Sequence, residues 1–137
     1  MDKELLHKNL IVCILALASD KQSQIAYTTP GCAVCDLTED FENYGKRCFD
    51  IANYSIEECE LIKELNLLID QFIELGYECF DIDVLDSMQW NEIRAKASYA
   101  LSKFGYLIIP LPRNIEIQPG VWNIDIIKYE LKKISNR

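Results

Sequence analysis

Two cysteines three positions apart, followed at once by carboxylates, are the residues of this 137-residue chain whose types and spacing could do chemistry. They are Cys32 and Cys35, in the stretch TTPGCAVCDLTEDF at residues 28–41. In a thioredoxin-like redox site such a pair opens a helix, because the helix dipole lowers the pKa of the first thiol. A short helix can follow here, but the βαβ pattern that surrounds such sites is missing. We therefore interpret both residues as buried or half-buried thiols and keep a CxxC thiol-redox protein as an alternative.

Other metal and catalytic chemistries lack the residues that they need. A zinc site normally takes four Cys or His ligands, but Cys48, Cys59 and Cys79 stand singly and the one histidine, His7, lies in the first predicted helix. The carboxylate run that begins at Asp81 lacks the glycine of a calcium loop. The sequence contains no convincing nucleophile–base pair and no phosphate-binding glycine motif. We therefore predict that the protein is not an enzyme and has no metal site, no cofactor and no catalytic residue.

The negative charge is concentrated in the middle of the chain. The formal net charge is −8, but residues 36–92 carry sixteen acidic and only three basic side chains, those of Lys46, Arg47 and Lys63. Residues 93–137 instead carry eight basic and three acidic side chains. This balance argues against nucleic acid as a direct ligand, because phosphate binding needs a basic surface. It predicts attraction to a basic protein, with ordinary solvated helix faces as the alternative.

Helical periodicity dominates the elements that must position these residues. Helices are predicted at about residues 3–18, from Ser55 to Gly76, from Asp86 or Ser87 to Gly105, and at about residues 124–134, with a short acidic helix at 36–44. Ser55 and Glu58 form a capping box. The broad apolar stripe that follows them is expected in the middle of a bundle.

The last third of the chain is predicted to be less regular. Residues 106–118 are rich in β-branched side chains interrupted by prolines, which favours short extended segments. In the helix predicted at 124–134, Ile127, Leu131 and Ile134 are expected to face inward. Trp90 is expected in the core, Trp122 to be partly exposed, and Arg94 and Lys96 to pair with the acidic middle. The fold class is thus mainly α: a single domain over residues 1–137, with four to five helices and a minor extended element near 106–118.

The N-terminal helix has some features of a secretory leader. Its apolar run at 10–18 ends in small residues, but the preceding segment has no positive excess. The run is also too short to cross a membrane. We therefore expect a cytoplasmic protein that has reduced thiols and no membrane partner.

Four segments occur together in a combination that is informative. They are ILALASDKQ at 14–22, CDLTEDFENY at 35–44, the amphipathic helix that begins at Ser55, and WNEIRAKASYALSKFG at 90–105. Together they resemble the small bacterial immunity proteins of contact-dependent growth inhibition and related polymorphic toxin systems. The resemblance implies an inhibitor that binds one toxin domain, often a basic nuclease, and covers or distorts its active site. A structural or adaptor subunit of a cytosolic complex is the alternative.

Charge and resemblance together predict the surface that meets the partner. It is expected to combine carboxylates from two segments with nearby aromatic anchors. The predicted contact residues are Asp36, Glu39, Asp40, Glu42, Tyr44, Tyr77, Asp81, Asp83 and Asp86.

Overall fold

The structure is a computed structural model that describes residues 3–51 and 54–135. The side chains of residues 46–51, which include Lys46, Arg47 and Cys48, lie outside this description. The described residues form five α-helices, one short 3₁₀ helix and a two-stranded antiparallel sheet. The helices are α1 (Lys3–Ala18), α2 (Lys21–Thr28), α3 (Ala33–Ile51), α4 (Ile56–Leu75) and α5 (Met88–Lys103); the 3₁₀ helix spans Ile82–Asp86, and the strands are β1 (Ile115–Gln118) and β2 (Val121–Asn123). The mainly α prediction with a minor extended element is confirmed.

Helix α1 is the centre of the bundle. Every residue from Leu10 to Ala18 is buried, and the helix packs against both α3 and α5. A helix that is apolar on all sides needs neighbours on all sides. The prediction that the 55–76 helix occupies the middle is wrong, since α4 leaves Leu67, Ile73 and Leu75 exposed.

Helix α2 was not predicted from the sequence. Asp20 caps it by accepting a hydrogen bond from the Ser23 backbone N–H at 2.8 Å. Its buried Gln24 donates to the carbonyls of Ala16 and Leu17 and accepts from Trp90 Nε1 at 3.1 Å. One amide thus ties α2 to α1 and α5 through hydrogen bonds that water cannot replace.

The other helix boundaries follow local signals. The capping box at Ser55 and Glu58 is present, and Gly76, at φ 82°, ends α4. Ser87 caps α5, which carries Trp90 fully buried as predicted. The predicted acidic helix at 36–44 is the first half of a longer one, α3.

The prediction of a helix at 124–134 is wrong. Asp125 caps a single turn, and the chain then runs beside residues 105–107, where Ile134 N–H donates to the Gly105 carbonyl at 2.8 Å. Ile127 is 77% exposed and Ile134 is 40% exposed, although Leu131 packs against the core. The backbone groups of residues 105–107 offer partners that a helix at 124–134 would leave unpaired.

Candidate functional site

The fold brings a third cysteine to the Cys32–Cys35 pair. Cys32 precedes α3, and its carbonyl accepts the first helical hydrogen bond, from Asp36 N–H at 2.9 Å. Cys35 lies in the first turn of α3, and Cys79 lies in the loop between α4 and the 3₁₀ helix. The three sulfur atoms lie within 4.8 Å of one another, and those of Cys35 and Cys79 are 3.5 Å apart. We call these three residues the thiol cluster.

Hydrogen bonds give the two thiols of the CxxC pair opposite character. Burial raises the pKa of Cys32, but backbone N–H groups, first that of Phe80 at 3.2 Å, outweigh it and hold the pKa below its ordinary value. The Tyr77 hydroxyl, 3.4 Å from Cys35 Sγ, lowers the pKa of Cys35. Burial and the neighbouring thiols outweigh that effect and raise the pKa of Cys35 to about 11. Cys32 is therefore the easier of the two to ionise.

The loop at residues 77–81 is held in an uncommon conformation. Tyr77 stacks on Phe72 with ring centroids 5.5 Å apart. Phe80 has a φ of 66°, in the left-handed region that side chains disfavour, and the residue is 67% exposed. Its amide is fixed on Cys32 Sγ, so the backbone is anchored while the ring points into solvent.

Three of the predicted carboxylates lie within two turns at the start of α3. Burial raises the pKa of Asp36, and the charge of Glu39 adds to the shift. Burial, followed by the charges of Asp36 and Glu39, raises the pKa of Asp40 to about 6. None of the three forms an ion pair with a cation among the described side chains. We call Asp36, Glu39 and Asp40 the α3 carboxylates.

Two of the three carboxylates predicted at 81–86 already interact with other groups of the protein. Asp81 caps the 3₁₀ helix by accepting from Asp83 N–H at 3.0 Å. Asp86 pairs with Lys21 at 2.6 Å. Asp83 is exposed, and its negative charge contributes to raising the pKa of Lys21, after the hydrogen bond that Lys21 donates to Asp86.

The remaining acidic side chains show that the negative middle is not uniform. On α4, Glu57, Glu60 and Glu64 pair with Lys103, Lys63 and Lys96, respectively. The prediction that Lys96 pairs with the acidic middle is thus confirmed. Arg94 instead donates to Gln24 Oε1 at 2.9 Å and to the carbonyls of Ser19 and Leu85.

The predicted aromatic anchors are less accessible than Phe80. Tyr44 and Tyr77 are half-buried and pack against the core, and Glu42, beside them in the prediction, is exposed. Sequence reasoning missed Phe80 and the approach of Cys79 because both depend on the path of the chain after α4. The available signal was the stop at Gly76, which leaves only a short loop before the next helix.

No helix among the described residues is both long and apolar enough to cross a membrane. A scan against models of protein families, a search of curated proteins and a search of solved structures each find no significant match.

Proposed function

We propose that this chain is an immunity-type inhibitor that acts in the cytoplasm by binding a basic toxin domain through its acidic surface. The observation that carries the proposal is the close grouping of the α3 carboxylates: burial, and then the charges of Asp36 and Glu39, raise the pKa of Asp40 to about 6. Carboxylates held close together without a cation destabilise the free protein. A cationic partner relieves the repulsion among these carboxylates. This relief makes a favourable contribution to the free energy of binding.

The charges of the protein itself support a partner at this surface. Glu57, Glu60 and Glu64 on α4 have intramolecular lysine partners, and Asp86 pairs with Lys21. The α3 carboxylates have none among the described side chains. An uncompensated patch of this kind accelerates association and discriminates among partners more than it adds affinity.

Phe80 supplies the apolar anchor that such a surface needs. Its exposed ring lies next to Asp81, and its backbone approaches Cys32 at the start of α3. Interfaces draw most of their binding energy from a few well-packed aromatic or arginine side chains. Phe80 therefore takes the anchoring role that was predicted for Tyr44 and Tyr77.

The test is co-expression with the product of the neighbouring reading frame, followed by a growth assay and an affinity measurement. The test variant neutralises the patch without changing its shape: Asp36→Asn, Glu39→Gln and Asp40→Asn together. The matched control, Glu57→Gln, Glu60→Gln and Glu64→Gln, changes the net charge equally on α4. We expect the test variant to lose association rate by about 10-fold or more at low salt, while the control stays within about 2-fold.

Proton linkage gives a second readout of the same surface. A cation beside Asp40 favours its charged form, so binding near pH 6 releases protons and the affinity rises as the pH increases from about 5 to about 7. The Asp40→Asn variant should lose this dependence. Equal association rates for the test and control variants would remove the α3 carboxylates from the interface, and a partner without toxicity would refute the immunity role.

A further inference from the structure

We propose that Cys32, Cys35 and Cys79 form a binding site for one zinc ion. The proposal concerns the isolated protein and does not depend on the proposed toxin partner. Its basis is the convergence of three sulfur ligands from two segments that lie 44 positions apart, at Cys35 and Cys79. The sequence alone shows Cys32 and Cys35 as a pair, but it does not show that Cys79 approaches them.

The spacing of the sulfur atoms matches a zinc thiolate site. Zinc–sulfur bonds of about 2.3 Å at tetrahedral angles put neighbouring sulfurs roughly 3.8 Å apart. The Cys35 and Cys79 sulfurs are 3.5 Å apart, and all three sulfurs lie within 4.8 Å of one another. Side-chain shifts of under about 1 Å, on the scale of ordinary rotamer adjustment, are enough to close the site.

The surroundings already supply hydrogen bonds of the kind that support metal ligands. Phe80 N–H donates to Cys32 Sγ at 3.2 Å. The Tyr77 hydroxyl, 3.4 Å from Cys35 Sγ, can donate to a thiolate there. Hydrogen bonds from the surrounding protein orient thiolate ligands and are a large part of a metal site's affinity.

The local charge favours a divalent over a monovalent cation. Three thiolates leave a bound Zn²⁺ with a net charge of −1 and Cu⁺ with −2. Asp36 directly follows Cys35, and Asp81 lies two positions after Cys79. Excess negative charge in an already acidic region is unfavourable, so Zn²⁺ is the better fit among soft cations. Cys79 is exposed, so the fourth position faces solvent and takes a water molecule.

Accessibility argues against a thiol–disulfide exchange site. The attacking sulfur in exchange must reach a disulfide on another molecule. Cys32 is only 7% exposed, and its sulfur accepts a hydrogen bond from the backbone N–H of Phe80. A buried sulfur with bound donors suits a metal ligand better than a nucleophile.

The test uses the reduced full chain, first with Co²⁺ as a spectroscopic probe and then with Zn²⁺ as competitor. We expect one Co²⁺ per chain with a thiolate-to-metal charge-transfer band, displacement by Zn²⁺, and protection of three cysteines from alkylation. Zinc in large excess over its dissociation constant should also raise the Tm by about 5 °C or more.

The decisive variant is Cys79→Ser, because Cys79 is exposed and its removal leaves the core intact. We expect zinc affinity to fall by at least about 100-fold, since even outer hydrogen-bond partners of a metal are worth 10- to 100-fold. The matched control is Cys59→Ser, at a half-buried cysteine of α4. Cys59 lies thirteen residues, or about 20 Å along the helix, before Phe72, whose ring stacks on Tyr77 beside the thiol cluster. The Cys59→Ser variant should bind zinc as the unchanged protein does.

Two results would overturn the assignment. The first is no stoichiometric zinc binding by the reduced chain, and the second is unchanged affinity in Cys79→Ser. If the first result came with a Cys35–Cys79 disulfide in the oxidised chain, the cluster would be a disulfide site instead. None of these results depends on a toxin, so the zinc site and the proposed function can fail separately.

Discussion

Replacing Asp40 with asparagine should stabilise the protein at neutral pH. The pKa of this carboxyl is raised from an ordinary 3.8 to about 6 by burial and then by the charges of Asp36 and Glu39. A shift of about 2 units at about 1.4 kcal/mol each corresponds to roughly 3 kcal/mol. Asp40 is only half-buried, so solvent screening reduces the expected gain to about 1–2 kcal/mol.

The sign of the pH dependence of Asp40 follows from the raised pKa. The folded state holds the Asp40 proton more tightly than the unfolded state does, so this residue does not destabilise the fold below about pH 4. The destabilisation develops as the pH rises through 4 to 6 and is complete by about pH 7. Burial raises the pKa of Tyr27 on α2, and the negative charges of Cys13 and Asp40 add to that shift.

Urea unfolding of the unchanged chain and of Asp40→Asn from pH 4 to pH 8 measures this effect. We expect a gain of about 1–2 kcal/mol at pH 7, equivalent to roughly 3–6 °C in Tm, that disappears by pH 4. The control is Asp70→Asn, an exposed carboxylate of α4, which should stay within about 0.5 kcal/mol at every pH. A gain that is absent at pH 7, or the same at pH 4, would refute the electrostatic reasoning.

Three further changes probe the packing around the site. Gln24→Leu should lower the free energy of unfolding by about 2–4 kcal/mol and shift the fluorescence of Trp90, because the indole N–H loses its acceptor. The control Gln22→Leu, at an exposed position of the same helix, should have neither effect. His7 has a pKa held below its ordinary value mainly by burial, so stability should fall as the pH drops below about 6.5, and His7→Phe should flatten that dependence in urea unfolding. Gly31→Ala should cost about 1 kcal/mol in thermal unfolding, because its Cβ would lie 3.1 Å from the backbone carbonyl oxygen of Thr28 and would force the Asp36 carboxylate, 2.1 Å away, to rotate.

The helices that could be predicted carry their own start and stop signals. Ser55 and Glu58 begin α4, Gly76 ends it, and Ser87 begins α5, each through contacts within a few residues. Helix α2 has only eight residues and a polar composition, and its place is fixed by Gln24, which contacts distant carbonyls. Sequence patterns therefore predict those helices whose start and end depend on residues a few positions apart, and they miss helices that depend on distant contacts.

The same limit explains the errors in the tail and at the site. The isoleucines of residues 124–134 have helical spacing, but the backbone pairing with Gly105 and Leu107 is not visible in that spacing. Cys79 looked isolated because its neighbours, Cys32 and Cys35, approach only after α4 reverses the chain. The α3 carboxylates were predictable as a group because one helix holds all three.

Residues 77–81 connect the zinc site to the proposed partner surface. Phe80 is held at a positive φ by the hydrogen bond between its amide and Cys32, and a metal bound by Cys32 and Cys79 would fix it from both sides. An anchor that is already in place loses less conformational freedom when a partner binds. The charge of the α3 carboxylates instead affects the rate at which the partner associates. Removal of zinc should therefore speed dissociation of the partner, as stopped-flow measurement can show, while the association rate changes by less than about 2-fold. A slower association with unchanged dissociation would mean that Phe80 does not anchor the complex.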